Sequence, residues 1–227
     1  IRSHLVGLPN HWTNITVRHL LAHTSGLRNY TSLPGFFPRQ ARNPVTHDQF
    51  LDLIRPLPLE FAPGEKWAYS NTGYHLLGMI IEAASGLSYG EFLQCRLFGP
   101  LGMTATRVND SSAIVPKRAN GYELRQGKLG NNAFLDMSWP FSAGGLISTV
   151  QDLALWDRAM DAAKLLSATS WETLWTPTRL ADGTTNNYAL GWGTGQWAGH
   201  SFIAHGGGIP GFSSYLIRWN AERVSVA

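Results

Sequence analysis

Tyr69, Ser70 and Asn71 stand directly before a long apolar helical pattern, in the stretch WAYSNTGYHLLGMIIEAASG over residues 67–86. A helix start needs only one capping oxygen, because a single Ser, Thr, Asp or Asn side chain satisfies one of the first unpaired N–H groups. Asn71 or Thr72 suffices for that, so Tyr69 and Ser70 are either incidental loop residues or members of a chemical site. A second concentration of unusual residues is His205-Gly206-Gly207-Gly208. Glycines there let another backbone approach closely and donate N–H groups to an anion. Taken alone, the run reads as a tight turn before Pro210.

Two simpler chemistries fail on these residues. His19 and His23 have the four-residue spacing with which two imidazoles on one helix face bind zinc, but Leu20 replaces the glutamate base of that pattern and no third ligand is evident. They read as helix-end polar residues, with His23 near the C-terminal dipole, and no metal is assigned. In α/β-hydrolases an HGGG run builds the oxyanion hole and the nucleophile follows on a G-x-S-x-G turn. Only nineteen residues follow Gly208, and no such turn lies among them.

Composition narrows the class. With 227 residues, 44% of them hydrophobic and 15% charged, the chain is long enough for one large core or two modest ones. Nine Trp, ten Phe and seven Tyr argue against disorder. A net charge of +3 without any Lys/Arg run gives no nucleic-acid footprint. No stretch is long and apolar enough for a membrane span, and residues 1–15 lack a signal pattern. One cysteine, Cys95, excludes an internal disulfide framework; inside a helical pattern it reads as a small buried apolar residue.

The elements that must position these residues come in the order helices first, strands last. Residues 16–26 read as a short helix capped by Thr16 and stopped by Gly26, and residues 46–56 as another closed by Pro56. From Asn71 to Gly86, Leu76, Leu77, Ile80, Ile81 and Ala84 recur at helical spacing. Ser88 with Glu91, and Thr149 with Asp152, have the capping-box pattern, and a last helix follows Ser167 and ends before Pro177. Runs such as NYALGWGT, HSFIAHG, FSSYLIRW and RVSVA then predict an antiparallel sheet from about residue 187 onward, and GYELRQGKLG a small hairpin. The pattern is α+β, with a mostly helical part over residues 1–185 and a sheet part over 186–227.

VRHLLAHTSGL (17–27), YSN (69–71), SAGGLISTVQDLALW (142–156) and HGG (205–207), in this order, resemble the serine β-lactamase and penicillin-binding superfamily. The resemblance is greatest to its class C-like branch, which includes D-alanyl-D-alanine carboxypeptidases, D-aminopeptidases and many esterases, and it spans residues 16 to about 219. It implies a β-lactamase/transpeptidase-like fold whose sheet is incomplete in this chain. It also implies a small-molecule or peptide substrate, no cofactor, and a site outside the cytoplasm, periplasmic or secreted.

Carried over residue by residue, Tyr69 is the general base or proton relay and Asn71 binds the substrate amide. Gly206 and Gly207 let substrate lie along the strand edge, and the Gly208 N–H is one oxyanion donor. A free phenol ionises near about pH 10, so Tyr69 works near neutrality only with cations beside it or as a relay. His205 occupies a position that is often Lys in the family; as a histidine it can hold a carboxylate or shuttle a proton. Trp139, Trp192 and Trp197 are candidates for lining a pocket, though tryptophans near a sheet are more often core.

One departure is serious. The superfamily attacks with the serine of S-x-x-K. Three residues before Lys66, Lys117, Lys128 and Lys164 stand Pro63, Ile114, Arg125 and Asp161. The nucleophile and its lysine are therefore expected upstream of Ile1, or on a separate fragment, and a catalytically inactive binding or structural module is the alternative.

Overall fold

The computed structural model describes residues 1–162 and 164–227, with every side chain among them except that of Pro38. Capped starts set the helices. Thr16 opens α1 (Val17–Leu21) and Thr46 opens α3 (His47–Ile54), each in a reciprocal capping box, and α2 (Phe36–Arg39) lies between them. The long helix α4 (Asn71–Ser85) ends at Gly86, and Ser88 with Glu91 caps α5 (Tyr89–Leu93). A π-helical turn, Gln94–Phe98, joins α5 to the one-turn α6 (Gly99–Leu101). β1 (Arg107–Val108) pairs with β4 (Leu146–Ile147), and β2 (Tyr122–Arg125) with β3 (Lys128–Asn131) is the expected hairpin. Next come α7 (Val150–Asp161), α8 (Ala168–Trp175) and a four-stranded antiparallel sheet of β5 (Gly193–Trp197), β6 (His200–Ile209), β7 (Phe212–Trp219) and β8 (Val224–Val226) in sequential order.

Burial follows helical periodicity. The face that α4 buries centres on His75, Leu76, Met79 and Ile80, while Ala84 is exposed. Leu76 joins Trp12, Ile15, Leu20, Tyr30, Phe36, Phe50, Ile54 and Trp139 in the main core. Gly78 is where the 3-10 turn Phe141–Ala143 meets α4: Ser142 Oγ donates to the Tyr74 carbonyl at 2.8 Å, and a Cβ on Gly78 would lie 2.1 Å from that oxygen. A second cluster, Tyr89, Leu93, Phe98 and Met103, sits under α5 and α6.

The sheet carries a buried charge. Arg218 on β7 is 1% exposed and forms ion pairs with Asp157 and Asp161 of α7, while its Nε donates to Asn220 Oδ1 at 3.0 Å. A guanidinium is tolerable there because its fork meets two carboxylates.

Four expectations change. Cys95 is free and exposed, not buried: between Leu93 and Phe98, which reach the core, the wider π turn carries Cys95 to the outside. Helix α1 stops at Leu21, five residues before Gly26, because His23 takes a left-handed φ of 56°. Thr149 caps α7, but Asp152 does not close the box. It is drawn away to accept from the Ala105 N–H at 2.9 Å and the Thr106 hydroxyl at 2.7 Å. The sheet begins at Gly193; residues 187–192 form a turn tied by a Tyr188–Gly193 bridge.

Candidate active site

The H-T-S-G segment positions the Tyr69 loop through backbone bonds. The Ala68 N–H donates to the His23 carbonyl at 2.9 Å, the Gly64 N–H to Thr24 at 2.8 Å and the Glu60 N–H to Gly26 at 2.8 Å. Gly26 has no room for a side chain: at φ +73° a Cβ would stand 2.1 Å from the Phe61 carbonyl oxygen. His23 is 1% exposed, so it is a core residue of this junction and not a solvated helix end. Its ring lies 4.1 Å from that of Tyr69 between centroids.

The cap of α4 differs from the expected one. Ser70 is the N-cap residue yet makes no side-chain cap, and its buried Oγ lacks a protein partner. Capping comes from outside the helix instead: Asn29 Oδ1 accepts from the Asn71 N–H at 3.2 Å and from Asn71 Nδ2 at 3.3 Å. Thr72, buried, bonds the Arg28 carbonyl at 2.6 Å and receives the Tyr30 N–H at 3.0 Å. Loop 28–31 thus holds the first turn, and the polar residues at the mouth of α4 are fixed from two sides.

From the sheet comes β6. Its pairing with β5 ends at Ala204, whereas its pairing with β7 continues to Ile209, so residues 205–209 keep one strand edge open. His205 stands where that edge begins. A cavity of about 330 Å³ is lined by Tyr69, Tyr188, Gly193, Thr194, Phe202, Ala204, His205, Gly206 and Tyr215. It opens beside a wider hollow of about 1360 Å³ that touches all six expected site residues: Tyr69, Asn71, His205, Gly206, Gly207 and Gly208. The Tyr69 and His205 ring centroids are 6.2 Å apart. Segments distant in sequence therefore share one concavity.

Electrostatics narrows what these groups do. Burial raises the Tyr69 phenol above its ordinary range. A phenolate base therefore lacks support here, and a relay that gives one proton while taking another fits better. His205 is lowered by burial, and His23 falls to about 3 through burial and the nearby His205. Both are neutral at pH 7.

Tyr188 is the member of this site that sequence patterns do not reveal. Its hydroxyl lies 3.1 Å from His205 Nε2 and 3.2 Å from His23 Nε2, and burial pushes its ionisation up. The turn that follows it contains Gly191 at φ +91°, where a Cβ would press against the Tyr74 hydroxyl at 3.0 Å. The one signal available in sequence is a tyrosine in a run of small residues, NYALGWGT, which reads as strand.

Other candidates fall away. Trp139 is core, its Nε1 donating to the Gln40 and Asn43 carbonyls, and Trp197 is exposed; neither tryptophan, nor Trp192, lines these cavities. Among the described residues no group of three His, Cys, Asp or Glu is placed to hold a metal, and no helix is long and apolar enough to cross a membrane. The spacing G-x-S-x-G does occur at Gly86–Gly90, upstream of His205, but Ser88 is the α5 cap and its Oγ is bonded to Glu91 at 2.6 Å.

Known proteins resemble this chain in sequence and in fold. "Penicillin-binding protein 4*" of Bacillus subtilis (strain 168) is 33% identical over 96% of this chain and 51% of its own length. A D-aminopeptidase of Gluconobacter oxydans is 27% identical over 92% of this chain and 40% of its own. The crystal structure of a D-stereospecific amidohydrolase from Streptomyces sp. superposes with a TM-score of 0.81 at 29% identity, covering 96% of this chain and 70% of that one. The chain thus spans about half the length, or less, of these curated relatives. A β-lactamase/transpeptidase-like α+β fold is shared with the solved neighbours. The family profile described as Beta-lactamase matches residues 1–227, and the chain belongs to that family.

Proposed function

We propose that the protein containing these residues is a serine hydrolase that forms an acyl-enzyme on a D-peptide, a small ester or a β-lactam. The observation that carries this reading is the meeting of Tyr69, from the part spanning residues 1–185, with His205, from 186–227, on one cavity beside the open edge of β6. The nucleophilic serine and its lysine come from a segment outside residues 1–227, in the same chain or as a separate fragment. Serine Oγ attacks the substrate carbonyl, and the Tyr69 phenol passes the proton it receives on to the departing nitrogen or oxygen, so no lasting phenolate is required. Asn71 binds the substrate amide, Gly206 and Gly207 admit the chain along the strand, and the Gly208 N–H helps hold the oxyanion. Relatives named as a D-aminopeptidase and a D-stereospecific amidohydrolase support amide bonds of D-residues as substrates.

A fluorescent penicillin or a fluorophosphonate is expected to leave residues 1–227 unlabelled and to label a longer natural protein that supplies S-x-x-K. Covalent labelling of the 227-residue chain alone would overturn the assignment. In the labelled protein, nitrocefin, a D-Ala-D-Ala peptide and p-nitrophenyl esters separate the activities. Tyr69→Phe there should lower kcat by about 100-fold or more with little change in KM, the loss typical of a proton-transfer group. A catalytically inactive binding or structural module is favoured by one observation, the lack of a serine three residues before any of the four lysines. A native reading frame that starts near Ile1 would decide for it.

A further inference from the structure

Four hydrogen bonds run through the site in series. The Ser70 N–H meets His23 Nδ1 at 3.1 Å, His23 Nε2 meets the Tyr188 hydroxyl at 3.2 Å, that hydroxyl meets His205 Nε2 at 3.1 Å, and His205 Nδ1 meets the Gly206 carbonyl at 2.8 Å. Both ends are chemically fixed, since a backbone N–H can only donate and a carbonyl can only accept. Starting from Ser70, His23 Nδ1 must be bare. Its Nε2 then carries the proton and donates to Tyr188, whose own proton goes to His205 Nε2. Starting from Gly206, His205 Nδ1 must carry a proton, so in the neutral ring Nε2 is bare and accepts from Tyr188. The two ends demand the same arrangement.

Adding a proton breaks it. A charged His23 turns an Nδ1–H against the Ser70 N–H, and a charged His205 deprives the Tyr188 hydroxyl of its acceptor. These contacts sit where unpaired polar groups are expensive, because His23 is 1% exposed and Tyr188 7%. The series also ends at a backbone amide, which neither accepts nor releases a proton at ordinary pH. It orients His205 and does not carry protons away.

We propose that Tyr188, anchored by His23, is a positioning residue that holds His205 as the neutral Nδ1–H imidazole, so that this part of the cavity receives an uncharged amide or ester group and not a free carboxylate. With both ring nitrogens bonded inside the protein, His205 has no N–H to offer a carboxylate. The other groups facing it are Tyr69, Thr194 of β5 and Tyr215 of β7; among the described residues no Lys, Arg, Asp or Glu lines the smaller cavity. Arg107, Lys117 and Arg118 line the wider hollow, which His205 also borders, and not the smaller cavity. The specificity half rests on the reading of the cavity as a substrate site; the tautomer half does not.

The test is two-bond 1H–15N correlation spectroscopy of the protein labelled at histidine nitrogens. At neutral pH, His23 is expected with bare Nδ1 and His205 with bare Nε2. In Tyr188→Phe, His205 loses the donor that favoured its neutral form, so its titration midpoint climbs towards about 6.5, while the Gly206 carbonyl still holds the proton of the neutral ring on Nδ1. A proton on His205 Nε2 at neutral pH, or a midpoint unmoved by Tyr188→Phe, overturns the lock. If the variant fails to fold, the wild-type tautomers alone decide. Binding of N-acetyl-D-alanine amide and N-acetyl-D-alanine is then compared by saturation-transfer NMR. The amide is expected to bind at least about tenfold more tightly, because His205 offers a carboxylate no N–H and the smaller cavity no cation to offset the loss of its hydration. Tighter or equal binding of the acid overturns the specificity. Binding of neither defeats the substrate-site reading and the specificity with it, while the tautomer spectra still decide separately whether the lock exists.

Discussion

Urea denaturation is expected to show stability falling steeply as pH drops from roughly 6.5 towards 5, with a slope approaching about 2.7 kcal/mol per pH unit. Two buried histidines account for that slope, with additions of the same sign from His19 and His205, which burial also lowers. His23 and His75 are each 1% exposed, and burial brings each down to about 3. His75 stacks on Phe50 at 3.6 Å, bonds the Trp139 carbonyl through Nδ1 at 3.2 Å and leaves Nε2 without a protein partner. Unfolded, both rings titrate near about 6.5; folded, both stay neutral until far lower pH. Between those limits the unfolded chain binds more protons, so their contribution is complete above the upper value and drains away as acid is added. Each proton taken up contributes about 1.4 kcal/mol per pH unit, and two act together. Carboxylates with depressed values, such as Glu65 and Asp182, do not confuse the window, since they titrate in the unfolded chain near about pH 4. A flat profile above pH 5 would show that both rings take up protons in the folded protein, and about half the slope that one of them does.

Gly26→Ala should destabilise the protein by about 3–5 kcal/mol, seen as a loss of urea midpoint at unchanged slope. Two costs combine. An alanine at φ +73° occupies left-handed backbone, unfavourable by roughly 1–2 kcal/mol. Its Cβ would also stand 2.1 Å from the Phe61 carbonyl oxygen, a backbone atom that cannot rotate out of the way. Relief requires separating the two segments that the Glu60–Gly26 and Gly64–Thr24 bonds hold together. Those segments carry His23 and Tyr69, so the same change should disturb the candidate site. Gly130→Ala is the matched control: it lies in β3 with nothing near its missing Cβ, and it should be close to neutral.

The two positions show how differently local and tertiary information are stored. Gly26 is conspicuous in H-T-S-G, yet its reason is not the helix stop that local pattern suggests. The helix ends earlier, at Leu21, and the glycine is needed where the chain crosses residue 61. Capping residues are readable because their physics is local: Thr16, Thr46 and Ser88 each bond a backbone group three residues away. Asp152 has the same spacing and a different partner, because the Ala105 and Thr106 donors compete for its carboxylate. Cys95 departs from its expected burial for a similar reason. Helical periodicity assumes a regular helix, and one π turn shifts which side faces water.

Sequence alone determined the family, the α+β order of elements and the six residues that line the shared hollow, since those depend on short patterns and on residue types that chemistry requires. Tertiary structure decided the rest of the site. Only folding places the Tyr188 hydroxyl between His23 and His205, residues 165 and 17 positions away. Proton positions in that series follow from which donors and acceptors meet across the core, a relation no local periodicity encodes.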